Sequence, residues 1–107
     1  MKIVLEAIRE KIRAGDYYIS FNHTEKLRLR KISAADIEEA ILQGEIIEPY
    51  PHDPRGASYL ISGMTSKDRT LHVLCGKLEE NEMLIITAYE PDPKDWESDW
   101  RTRKRGD

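Results

Sequence analysis

One short stretch, Asn22-His23-Thr24-Glu25-Lys26-Leu27-Arg28-Leu29-Arg30-Lys31, combines a proton-transfer group with a row of cations. On a helix advancing about 100° per residue, His23, Lys26 and Arg30 fall within about 60° of one another. A base beside two cations is what phosphodiester chemistry or phosphate binding requires. A solvated helix with one histidine near its cap would look the same.

The other chemistry-bearing residues lie later in the chain. In Leu71-His72-Val73-Leu74-Cys75, His72 alternates with Leu74, while Leu71, Val73 and Cys75 take the opposite face of a strand. A hairpin closing across Leu78–Glu82 would set His72 near Ala88 and Leu71 near Tyr89. Cys75, the lone cysteine, reads as a buried, inert thiol. His52 reads as a loop histidine in Tyr50-Pro51-His52-Asp53-Pro54-Arg55. No metal and no cofactor are expected: His23, His52 and His72 lack ligand spacing, and His23 has cationic neighbours. Gly63 and Gly76 are isolated and form no phosphate loop. Trp96 and Trp100 could stack on bases, but at i and i+4 they read better as the staple of a terminal helix.

These residues need elements to position them. A first helix is expected from Lys2 to Ala14, with Val4, Ala7, Ile8 and Ile12 inward and Gly15 as its stop. Tyr17–Phe21 is a short extended piece. Asn22 with Glu25 resembles a capping box and opens a second helix; Ser33 with Asp36 repeats that signal for a third, ending at Gly44. Ile46-Ile47 begins a strand that Pro49, Pro51 and Pro54 close off. Ala57–Met64, Thr70–Lys77 and Met83–Tyr89 then read as an antiparallel meander, and Lys94–Arg101 as a last helical turn or two. Ile8, Ile12, Ile37, Ile41, Val73, Leu74, Ile85 and Ile86 are the expected core.

The whole chain, 107 residues with a net charge of −3, is sized for one domain, 1–100, followed by a basic disordered tail, 101–107. Its charge is unevenly placed. Residues 23–31 hold four Lys/Arg against one acid and Arg101–Arg105 four against none, leaving 9 basic against 19 acidic residues elsewhere. Such local basic regions on an acidic body direct a polyanion to particular faces. No run is long enough to cross a membrane, and the amphipathic start does not read as a signal peptide, so a cytoplasmic setting is expected.

The run Tyr18-Ile19-Ser20-Phe21-Asn22-His23, with Lys26, Arg30-Lys31-Ile32-Ser33 and Gly44-Glu45-Ile46-Ile47, resembles a small prokaryotic family of domain of unknown function four-two-five-eight. Tyr59-Leu60-Ile61-Ser62-Gly63, Leu71-His72-Val73, Ile85–Pro91 and Trp96 extend the likeness over roughly residues 17–97. The resemblance implies kinship with RelE-like and BrnT-like ribonuclease toxins, and a partner antitoxin of the zinc-finger MqsA type. Two positions depart from the pattern: Lys26 stands where the family usually has arginine, and Lys31 where it usually has glycine.

The resulting expectation is an α+β domain of RelE-like toxin type, its N-terminal helices packed on one face of a four-stranded, mainly antiparallel sheet. Its function would be metal-independent RNA cleavage. His23 would serve as general base or acid, Lys26 and Arg30 would hold the phosphate, and His72 or Tyr89 would transfer the second proton. The alternative is a non-catalytic module of the same fold that binds RNA or protein.

Overall fold

A computed structural model describes residues 2–105. Helix α1 spans Lys2–Ala14 and buries Ile8 and Ile12, and the chain leaves it through Gly15 at φ +72°. Strand β1, Tyr17–Ile19, leads into a 3-10 turn, Phe21–His23, and helix α2, Thr24–Leu29. Helix α3 covers Ala34–Gln43, followed by β2 (Glu45–Tyr50), β3 (Ser58–Met64), β4 (Thr70–Gly76) and β5 (Met83–Tyr89).

The sheet has five strands in the order β1-β5-β4-β3-β2, so the expected four strands are one too few. The short piece after α1 joins the sheet edge, and it does so parallel to β5, with Tyr17 opposite Met83 and Ile19 opposite Ile85. Backbone bonds from Met83 N–H to the Asp16 carbonyl (2.8 Å) and from Ser20 N–H to the Ile85 carbonyl (2.9 Å) extend the pairing. A strand of three residues carries too little periodicity to declare a partner at the other end of the chain. The other three pairings are antiparallel.

Two bulges set which side chains share a face. At β2, Ile46 opposes Ile61 and Glu48 opposes Leu60, so Ile47 is the extra residue. At β5, Cys75 opposes Ile85 while Leu74 opposes Thr87, which leaves Ile86 unpaired. The bulge moves the register by one residue, so His72 faces Tyr89 and not Ala88. β2 also runs through Pro49 to Tyr50, further than expected, because an edge strand tolerates a missing N–H.

The helices pack on one face. Ile8, Ile12, Leu27, Ile37, Ala40 and Ile41 meet Ile61, Leu71, Val73, Cys75, Ile85 and Ala88 in a single buried cluster. Leu74, expected in that core, points to the other face and is only partly buried. α3 starts with the capping box foreseen at Ser33 and Asp36. α2 does not: His23 takes the N-cap position and no side-chain cap bond forms. Glu25 instead pairs with Arg28 at 2.5 Å. Among the described residues no helix follows Lys94. The segment runs through turns and an isolated bridge between Trp96 and Arg103. Residues 101–105 of the expected disordered tail are thus partly tied to the domain, by Arg101 to Glu45 (3.0 Å) and Arg103 to Glu48 (2.6 Å); Gly106 and Asp107 lie outside the described residues.

Candidate functional site

His23 closes the 3-10 turn and leads into α2, so its imidazole stands at the base of the basic helix. It is partly buried, and its Nδ1 is enclosed without a hydrogen-bond partner among the described residues. Burial, with the nearby charges of Lys26, Arg30 and Arg55, holds the imidazole below its ordinary value and therefore neutral at pH 7. A neutral imidazole can accept a proton, which a histidinium cannot. Lys26 and Arg30 thus share its neighbourhood, as their spacing implied.

Arg30 has a second task. Its guanidinium donates to the Ala88 carbonyl on β5 at 2.8 Å. Arg69 donates to the Lys31 and Arg30 carbonyls (2.7 and 3.1 Å) and pairs with Glu90 at 2.7 Å. The end of α2 is thereby tied to the sheet from two sides. Lys31 itself adopts φ +57°, the left-handed region in which glycine alone carries no penalty. The residue type at this position therefore bears on backbone conformation more directly than on chemistry.

His72 belongs to a different cluster. It is fully buried, and its Nε2 lies 2.7 Å from the Trp100 carbonyl. A carbonyl only accepts, so Nε2 carries the proton and Nδ1, also unpartnered, is bare. Burial keeps this imidazole below its ordinary value, against the opposing pull of the Trp100 bond. The Trp96 ring meets it edge-on at 4.5 Å and Tyr89 at 5.6 Å. Arg103 lies 4.6 Å from the Trp96 ring centre and bonds to Glu48, which also accepts from the Tyr50 hydroxyl. Tyr89 keeps partial exposure, and burial raises its phenol above the usual value. Trp96 is accordingly buried at 3% exposure, holding the C-terminal segment on the sheet as a side chain of a turn and not of a helix.

Arg55 escaped the sequence reading. It sits in the turn between β2 and β3, beside an open pocket of about 580 Å³ lined by Pro49–Arg55, Ser58 and Leu74. Its charge acts at His23 and so links that turn to the basic helix, and nothing in local spacing signals such a link. Phe21 was passed over too. It is 90% exposed, two residues before His23.

Among the described residues, no group of three or more His, Cys, Asp or Glu is placed to hold a metal ion, and no helix is long and apolar enough to cross a membrane. The family model described as domain of unknown function (DUF4258) matches residues 19–90, so the chain belongs to that family. No curated protein and no solved structure matches the chain.

Proposed function

We propose that this DUF4258 domain is a metal-independent endoribonuclease, akin to the RelE-like and BrnT-like toxins, with its site at the His23 face. One arrangement carries the reading: a partly exposed histidine with an enclosed Nδ1 stands at the start of α2, beside the charges of Lys26, Arg30 and Arg55. RNA supplies its own nucleophile. His23 takes the proton of a 2′-hydroxyl, the 2′-oxygen attacks phosphorus, and the 5′-oxygen departs to leave a cyclic phosphate. Since Nδ1 is enclosed, proton exchange with the substrate runs through Nε2. Lys26 and Arg30 stabilise the extra negative charge as phosphorus becomes five-coordinate. Phe21 adds an exposed aromatic on which a single-stranded base can stack.

For the second proton, the leaving oxygen draws on water, since Tyr89 stands in the His72 cluster on the other sheet face. His72 is out of reach of a substrate behind Trp96 and Trp100. That same burial favours the second reading, a module that binds RNA or an antitoxin protein on this face without cutting. Cleavage of single-stranded RNA in chelator distinguishes them. A ribonuclease keeps its rate without divalent metal, and His23→Ala lowers it by about 10²–10⁴-fold. If purified wild type, free of any antitoxin, neither cuts RNA nor slows growth when induced, the catalytic reading is wrong.

A further inference from the structure

We propose that the pocket under the β2–β3 turn is a nucleotide subsite, in which Arg55 meets a phosphate while the Pro49–Pro54 wall and the Leu74 floor receive the adjoining base. The proposal rests on reading the His23 face as an RNA site, and names what holds the substrate there.

The chemistry of Arg55 comes first. Its Nε and Nη2 donate to the two oxygens of Asp53 at 3.0 and 2.9 Å. The Arg55 backbone N–H and the Ser58 hydroxyl donate to the same carboxylate, at 2.9 and 2.8 Å. Asp53 is therefore saturated with donors, and its side chain is 8% exposed against 52% for Arg55. An approaching ligand meets the cation and not the anion behind it. The guanidinium is fixed in orientation, and Nη1 is not among the nitrogens that Asp53 engages. With the Nε/Nη2 edge held by Asp53, the outward Nη1 is an oriented donor for a single phosphate oxygen.

The pocket supplies the rest. Its volume of about 580 Å³ lies within the range of small-ligand sites. Pro49, Pro51 and Pro54 give it a stiff wall and Leu74 an apolar floor, a lining suited to a flat ring. An inorganic anion or an acidic peptide would use the cation and leave that wall unfilled. The floor lies close in register to the proposed reaction site. Leu74 opposes Thr87 on β5, and the carbonyl of the next residue, Ala88, is the one that holds Arg30. Pocket and basic helix thus adjoin consecutive residues of β5 from its two faces, and the charge of Arg55 acts at His23. A ligand with an anionic end and a flat body, repeated along a strand, is a single-stranded nucleic acid.

Calorimetric titration of the four nucleoside 3′-monophosphates, the four nucleosides and inorganic phosphate tests this on the intact chain. At least one monophosphate should bind about tenfold tighter than both its nucleoside and phosphate. Arg55→Ala should remove that advantage and Arg55→Lys only part of it, with thermal unfolding showing that both variants remain folded. Should Arg55→Ala fail to fold, Arg55→Lys and amide shifts at Ser58 and Leu74 in wild type carry the test. Equal binding of phosphate and nucleotides, binding unchanged in the arginine variants, or shifts confined to other strands would each overturn the subsite. A chain that binds nucleotides here yet never cuts RNA keeps the subsite and loses the ribonuclease; one that cuts RNA but binds no mononucleotide does the reverse.

Discussion

His23 and His72 show how far identical side chains diverge with their surroundings. Both are kept below the ordinary histidine value near 6.5, but by different balances. His23 faces cations at a partly open surface. His72 is enclosed, with the Trp100 carbonyl and the Glu48 charge opposing its burial. Truncating His72 to alanine should cost about 2–4 kcal/mol in denaturant unfolding, through the void and the orphaned Trp100 carbonyl. His23→Ala should cost less than about 1 kcal/mol while removing most cleavage. Both imidazoles must gain a proton on unfolding at mildly acidic pH. Their contribution to stability is complete above the unfolded value near 6.5 and declines as pH falls below it. In a pH series of melting curves, His72→Gln should flatten that decline, and an unchanged slope would mean that His72 does not carry it. On the proposed ribonuclease function, Lys26→Arg should raise turnover by supplying a bidentate phosphate grip. Lys31→Gly should stabilise the fold by about 1 kcal/mol, since its φ of +57° penalises any side chain.

Among the elements, α3 and β3 are the most tightly constrained pair. A Cβ placed on Gly63 would stand 1.8 Å from the Ala40 carbonyl oxygen. Sequence spacing showed only that Gly63 belongs to no phosphate loop; its reason is close approach of helix to sheet. Gly63→Ala should therefore destabilise by about 3 kcal/mol or more, or prevent folding, since backbone must move to admit a methyl group. At the start of α3, the Asp36 carboxylate accepts from the Ser33 N–H at 3.0 Å. That bond holds it below the usual carboxylate value, helped by Lys67 and Arg69. Asp36→Ala should cost about 1–2 kcal/mol. The wild-type contribution is present above the ordinary carboxylate value and is lost as pH drops toward the lowered one, so the difference between wild type and variant should shrink in acid melts.

At the scale of the whole molecule, the C-terminal segment behaves as a strap across the sheet face opposite the helices. Trp96 lies on His72, Arg103 lies on Trp96, and Glu48 holds Arg103, whose bond keeps the carboxylate below its ordinary value. Removing residues 101–107 should uncover Trp96 and lower the melting temperature, with a loss of near-ultraviolet signal from the tryptophan. An unchanged melt would mean that the strap is ornamental to stability.

Elements with local signals were legible before any fold was known. α1, α3 and β3–β5 fall close to where periodicity and punctuation put them, because amphipathic spacing, Ser33 with Asp36, and Gly15 act within a few residues. Family membership was legible for the same reason. Tertiary structure alone decided the rest. β1 needed β5 to become a strand, and the Ile86 bulge turned Tyr89 toward His72. Trp96 and the Trp100 carbonyl enclosed that histidine, and the β2–β3 turn brought the charge of Arg55 to act at His23. Each of these joins residues distant in the chain, and its energy depends on desolvation and register that no short window contains.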